Sequence, residues 1–482
     1  MRRVIAAAVM GGLVLGGVEA TPAFAATSAT KAIKTVVYQG YEFQVPASWP
    51  VYRLDQHPQT CVRYDVHAVY LGAPGPDMQC PAGIIGRTQT VSFIPGAAGA
   101  AGAAGTSTNV QRLPAVQGVI MQDAVDRELS VALGPAVHGP TARGATALGT
   151  YGTDPAVVEQ VLSTLRQAPA GAAQSTQTVS APAQPGGASP GTSLRGLPAQ
   201  SPAQVVQSAP AAKSPPPRKR VLRRVHGVGG FDTCTVPSLS AMHLWRGNYA
   251  VVGVYLGGVN AACAFGNLAA SWVRPVMNSG WGILPTYVGP QAPCWSGNGV
   301  KLDAAKAAAE GKAAAADAVH KAQAFGIGRG SPIYYDMEAY NGGASCTAAV
   351  LGFLSAWNHQ VAAAGYVTGM YSGQSSGIRD VQSAAAARKP GFTPPNAVWI
   401  ALWDGKPTVS DGNLVWPLTD RSKQYAGNVP ATFKGITLIV DKDIVDGPVA
   451  RLFTPRAAGW RAGESVRANR RGLISSRHGP TQ

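Results

Sequence analysis

Pro332-Ile333-Tyr334-Tyr335-Asp336-Met337-Glu338 is a short apolar and aromatic run that ends in two acids. It lies between an Ala-rich stretch with Lys306, Lys312 and Lys321, a strong helix former, and a second apolar-periodic stretch at 347–364. A short β-type run between two helical ones is the unit of a parallel sheet with crossover helices. Working outward, the same alternation recurs. Candidate strands are 227–233, 250–256, 282–288, 332–338, 366–372, 397–403, 422–425 and 436–441. Candidate helices are 239–245, 268–278, 302–325, 347–364 and 377–387. Eight strands in a little over 200 residues predict an α/β fold, a (β/α)8 TIM-like barrel over residues 226–455.

Upstream, residues 27–168 predict a small α+β domain. Tyr41-Glu42-Phe43-Gln44-Val45 alternates as a half-buried strand that Pro46 ends, and Asp154-Pro155 is a helix start. Residues 169–225 are rich in Pro, Ala, Gln, Ser and Gly and read as a linker without a core. At the N-terminus, Arg2 and Arg3 precede an apolar stretch and Ala23-Phe24-Ala25, the pattern of a signal peptide over residues 1–25. The expected location is therefore extracellular, in association with the cell wall, and no later segment is long and apolar enough for a stable membrane span.

The net charge of +16 is concentrated outside the expected folded regions. Residues 169–225 carry seven Lys or Arg and no acid, and the tail 456–482 carries six Arg against Glu464. This distribution argues against a nucleic-acid-binding surface on a folded domain. It fits either contact with anionic envelope polymers or simple solvation of flexible segments. Cys61 and Cys80 fall in the first half, and Cys234, Cys263, Cys294 and Cys346 in the second. In an exported chain they read as disulfides. Proximity pairs Cys61 with Cys80, Cys234 with Cys263 and Cys294 with Cys346, although the last four permit three connectivities. No metal-ligand spacing appears, and neither metal nor cofactor is expected.

In a barrel of this kind, chemistry gathers at the C-terminal strand ends. Those ends offer Asp232, Tyr255, Tyr287, Asp336 with Glu338, Tyr371, Trp403, Gln424 and Asp441. Residues i and i+2 of a strand share a face, so Asp336 and Glu338 would enter the mouth with Cα atoms ~6.6 Å apart. Two carboxyls that close in an apolar cup cannot ionise equally, which suits glycoside hydrolysis. An isolated Asp-x-Glu usually marks a solvated strand edge; the acids at other strand ends set this one apart. Tyr255, Tyr287, Tyr371, Trp403 and Gln424 are candidate sugar contacts, by stacking or hydrogen bonding.

Gly230-Phe231-Asp232-Thr233-Cys234, Val254-Tyr255-Leu256-Gly257-Gly258, Pro285-Thr286-Tyr287-Val288-Gly289 with Gln291-Ala292-Pro293-Cys294, Tyr334–Glu338, Gln424-Tyr425 and Val440-Asp441 occur in this order. Together they resemble the secreted glycoside-hydrolase-like domains of actinobacteria, a family similar to the family 25 lysozymes that cleave peptidoglycan glycan strands. The resemblance covers residues 226–450. It implies an acidic pocket of Asp232, Asp336, Glu338 and Asp441, with Glu338 matching the proton donor and Asp336 the residue that stabilises the positive centre or the acetamido group. The Gln291–Cys294 loop and the cysteines depart from the lysozyme pattern. Two functions follow: a glycosidase acting on cell-wall polysaccharide, or a catalytically inactive glycan-binding barrel with a role in the envelope.

Overall fold

The computed structural model of the protein describes residues 32–96, 108–137, 144–174, 222–264 and 266–453. The expected signal peptide, most of the linker and the basic tail lie outside the described residues.

The N-terminal part contains β1 (Ile33–Tyr38), β2 (Tyr41–Pro46), β3 (Val51–Arg53), β4 (Ala68–Leu71), β5 (Thr90–Pro95), β6 (Thr108–Leu113), β7 (Gly118–Asp123), β8 (Glu128–Leu133), β9 (Ala145–Thr150), helix α1 (Ala156–Ser163) and β10 (Arg166–Gln167). Strands β1-β2-β10 form one sheet, and β3-β4-β5-β9-β8-β7-β6 form a second in that order. This part is β-rich rather than evenly α+β. Among the described residues its one α-helix starts where the Asp154 carboxylate accepts a hydrogen bond from Ala156 N at 2.9 Å. Strands such as β7 and β8 alternate buried and open positions, and their antiparallel register explains the excess of sheet.

The C-terminal half is a closed eight-stranded barrel. Its elements are β11 (Arg224–Asp232), α2 (Leu239–Trp245), β12 (Val251–Gly257), α3 (Ala270–Asn278), β13 (Gly282–Tyr287), α4 (Ala307–Ala324), β14 (Pro332–Asp336), α5 (Ala344–Ala363), β15 (Val367–Gly373), α6 (Arg379–Ala386), β16 (Ala397–Ala401), β17 (Arg421–Phe433) and β18 (Ile436–Pro448). The eight expected strands and five expected helices are present. Complete eight-fold strand–helix alternation is not. Strands β11 to β17 run parallel, but β18 is antiparallel to both β17 and β11, and no α-helix follows β16 or β17. The cause is the turn Lys434-Gly435, with φ of 49° and 83°. Two consecutive left-handed residues make a tight hairpin turn, so the chain folds straight back instead of crossing over through a helix.

Alternation along the strands separates two apolar layers. Val251, Leu284, Tyr334, Tyr371, Ala397, Trp399 and Val445 pack together inside the barrel. Val252, Ile283, Tyr335, Met370 and Val398 face outward against helix residues such as Trp272, Ala315, Phe353 and Trp357. Gly253 occupies an interior position where a Cβ would come within 2.5 Å of Asp232 and 2.9 Å of the Trp399 ring. Only glycine leaves room for both. The linker was expected to extend to residue 225, but β11 already begins at Arg224, whose guanidinium pairs with Asp420 at 2.6 Å.

The three disulfides are Cys61–Cys80, Cys234–Cys263 and Cys294–Cys346, the proximity pairing. The first two meet at a seam where Tyr52, Leu54, Val62, Tyr64, Tyr70 and Met78 pack with Cys234, Cys263 and Ala264 of the barrel. Hydrogen bonds fix the same seam. Tyr64 N donates to Ala262 O at 2.6 Å, and Asp77 accepts from Ser238, the cap of α2. Lys321 of α4 pairs with Asp126 at 2.5 Å. Among the described residues, no helix is long and apolar enough to cross a membrane.

Arg87 is 4 % exposed and is the most heavily used residue of the seam. Its Nε donates to Ala261 O at 2.8 Å; its Nη1 donates to Asp126 O and, at 3.0 Å, to Glu128. Truncation would strand a carboxylate and two buried carbonyls. Arg87→Ala is expected to lower the unfolding free energy by about 3 kcal/mol, measured by denaturant titration. A change under about 0.5 kcal/mol, the level of an ordinary surface substitution, would refute this account.

Candidate functional site

The acids expected at the strand ends converge. Asp336 ends β14, and its backbone continues in register, with Met337 N donating to Tyr371 O at 3.0 Å. That extension carries Glu338 onto the interior face shared with Asp336 and Tyr334. The Gln291 side chain holds it there. Gln291 Oε1 accepts from Glu338 N at 2.7 Å, while Nε2 donates to Asp336 O at 2.9 Å and Gly289 O at 3.1 Å.

Across the barrel, β11 and β18 place Asp232 opposite Asp441. Gln424 of β17 lies against both. Its Nε2 donates to Asp232 Oδ2 at 2.9 Å and Asp441 Oδ2 at 3.1 Å. Its Oε1 accepts from Tyr371 Oη at 2.9 Å and Trp403 Nε1 at 2.7 Å. An indole N–H can only donate, so the amide oxygen must face the aromatics and the amide nitrogen the acids. All four hydrogen-bonding positions of this amide are filled. A bulge in β17 turns Asn428 (φ 52°) so that its N–H donates to Asp441 Oδ1.

Burial and mutual repulsion shape the acidity. Asp232, Asp336 and Asp441 are 1–3 % exposed, whereas Glu338 is only partly buried. Burial, then Asp441, pushes the Asp232 carboxyl well above the usual carboxylate range. Burial, then Glu338, does the same to Asp336, whose Oδ1 makes no hydrogen bond among the described residues. Glu338 is raised to about 7 by burial and then by Asp441. Asp441 is raised to about 6 by burial, a rise opposed by the Asn428 N–H. The Tyr255 hydroxyl is pushed far up by burial and by the charges of Asp336, Asp232, Glu338 and Asp441, which places this side chain in the same cup. Trp403, 56 % exposed, stands at the rim.

Tyr287 does not join them. Strand parity turns Leu284 and Thr286 inward and Tyr287 outward, and its hydroxyl donates to Asp317 of α4 at 2.8 Å. Sequence reasoning also missed one acid. Asp443, 1 % exposed, accepts from Trp399 Nε1 at 3.0 Å. Burial, then the neighbouring charges of Asp232 and Asp441, pushes its carboxyl well above the usual carboxylate range. The signal was available: Asp441 and Asp443 stand at i and i+2 of one strand.

Residues 243–445 match the Rv2525c-like, glycoside hydrolase-like domain. The resemblance read from the ordered motifs is thereby shown for the barrel. No curated protein sequence matches the chain. Solved structures similar to it at low identity include the following three. An uncharacterized B. stearothermophilus protein is 19 % identical, covering 46 % of this chain and 96 % of that one, with a TM-score of 0.33. The Mycobacterium tuberculosis Tat-secreted protein Rv2525c, in complex with L-tartrate, is 17 % identical over 46 % and 96 %, with a TM-score of 0.32. The modular autolysin LytC from Streptococcus pneumoniae, in complex with a synthetic peptidoglycan ligand, is 13 % identical over 45 % and 46 %, with a TM-score of 0.30.

The cup of this glycoside-hydrolase-like domain should be legible in its stability. The folded chain holds protons on Glu338 and Asp441 up to about 7 and about 6, against ordinary values of 4.5 and 3.8. Between those limits the folded state binds more protons than the unfolded one, so this cluster's contribution to stability falls as pH rises. Glu338→Gln is therefore expected to gain stability relative to the parent chain from pH ~4.5 to ~7 and to hold that gain above. Denaturant unfolding of both proteins across this range checks it. A pH-independent difference would contradict the proton-holding cup.

Proposed function

We propose that the protein is a secreted glycosidase acting on a cell-wall glycan, with Glu338 as general acid. The observation that carries this reading is the convergence of acids from β11, β14 and β18 on one cup in which Glu338 alone reaches solvent. Near pH 6.5 its proton is largely kept, while Asp441 has largely lost its own. Environments that push two carboxyls apart in this way supply an acid and an anion at one pH. Glu338 would protonate the glycosidic oxygen as the C–O bond breaks, and the anion on the Asp441–Asp232 side would stabilise the positive centre. Water then adds at the sugar carbon and its proton returns to the carboxylate of Glu338.

Asp336 serves as the orienting partner, because a buried carboxyl with an unpaired oxygen suits hydrogen bonding to a substituent of the sugar. Asp232, held by Gln424, tunes the charge of Asp441. Trp403 at the rim, with Tyr255 and Tyr371 inside, presents aromatic surface to the ring. Export would be directed by residues 1–25, in keeping with three disulfides, which persist in oxidising compartments. The basic linker and tail would hold the protein to anionic envelope polymers.

Purified peptidoglycan and other wall glycans, incubated with the parent chain and Glu338→Gln, test this. Release of new reducing ends by the parent is expected to follow a bell-shaped pH profile centred near ~6.5, and the variant to lose roughly 10²–10⁴-fold in rate. Equal binding by both without release would assign the non-catalytic glycan-binding barrel instead.

A further inference from the structure

The N-terminal part reaches the mouth of the barrel. The segment Cys80-Pro81-Ala82-Gly83-Ile84-Ile85-Gly86 is anchored at Cys80, Ala82, Ile85 and Gly86. Cys80 is bonded to Cys61. Ala82 N donates at 2.9 Å to Asn428 Oδ1, the residue whose own N–H holds Asp441. Ile85 bridges to Ala261 and packs against the barrel's outer core. Gly86 N donates to Asn260 O at 2.8 Å, and a Cβ at Gly86 would lie 2.2 Å from Asn298 O. The segment thus follows the rim from the β17–β18 hairpin to the loops after β12 and β13. None of these anchors involves β14 to β16, the sector of Glu338 and Trp403.

Gly83, at its centre, is exposed. A Cβ built there would meet one atom within 4 Å, Asp441 Oδ2 at 3.3 Å, and otherwise open space. The backbone gives no reason for glycine, because Gly83 is not among the positive-φ residues. Any side chain there would project into the mouth beside Asp441, which is itself only 1 % exposed.

We propose that Ala82-Gly83-Ile84 is a fixed wall of the sugar site, contributed by the N-terminal part, and that Gly83 is the specificity-determining position, where any side chain would narrow the mouth beside Asp441. The inference rests on the cup's being a glycan site. So many anchors make the segment a permanent wall rather than a moving lid. The barrel alone would then present a wider, differently selective mouth, and the N-terminal part has a function at the site itself. A glycan seated here enters from the β14–β16 side, with Trp403 under its outer portion.

The test uses the full chain, its Gly83→Ala and Gly83→Leu variants, and soluble oligosaccharide fragments of peptidoglycan as the probe, with affinity measured by calorimetry. Thermal unfolding monitors the fold. Gly83→Leu is expected to weaken binding about tenfold or more, with Gly83→Ala intermediate, since extra methylene groups in a fitted pocket are penalised on this scale. The melting temperature should move by no more than about 2 °C. If the leucine variant fails to fold, the alanine variant carries the test. Parent-like affinity in a folded variant would overturn the wall while leaving the glycan reading intact. Absence of fragment binding by the parent chain would overturn both.

Discussion

Acidic side chains taken out of water repel one another and lose hydration, so a cluster of them survives in a barrel only if protons and hydrogen-bond donors are shared out among them. Here the Gln424 amide does much of this sharing. Its nitrogen serves Asp232 and Asp441, and its oxygen is pinned by Tyr371 and Trp403. Burial and repulsion push Asp232 and Asp443 toward the protonated, uncharged form. Burial and repulsion raise the carboxyls against these bonds, and the Gln424 oxygen sets the orientation of the rim tryptophan. A group that keeps its proton near neutrality is what a leaving oxygen requires, so the electrostatic strain of the cup and its chemical potential have one origin.

The hairpin of β17 and β18 is the structural counterpart of this cup. Reversing the last strand brings Asp441 and Asp443 to the mouth beside Asp232, with Gln424 facing them from the adjoining strand. A crossover helix at that point would have carried the last strand in parallel, with a different register and different residues at the rim. Because the hairpin arm extends past the barrel, its Asn428 is also available to the segment that comes over from the N-terminal part.

The two halves of the chain meet through a mixed seam. Apolar packing and two neighbouring disulfides supply its core, and Arg87, Asp77 and Lys321 satisfy buried polar groups around it. Directional bonds of this kind fix orientation as well as adhesion. The N-terminal β-rich part is thereby held in one pose against the barrel mouth.

Much of this was legible in the sequence because it depends on local periodicity. The alternation of short β-type and long α-type runs determined the eight strands and five helices, and i, i+2 spacing put Asp336 and Glu338 on one face. Cysteine proximity favoured the three bridges, and the fold decided among the connectivities open to the last four. What the sequence could not supply was the partnership of elements far apart in the chain. Tyr287 sits at a strand end like Tyr255 but has the opposite parity, which a shift of one residue in register decides. The reversal of β18 turned on the two left-handed residues Lys434-Gly435, a signal easily lost in a pattern of crossovers. Composition and periodicity determined a barrel with acids at its rim. The closing of the sheet and the docking of the N-terminal part decided which acids are buried together and which remains open to water, because desolvation and repulsion act through space and not along the chain.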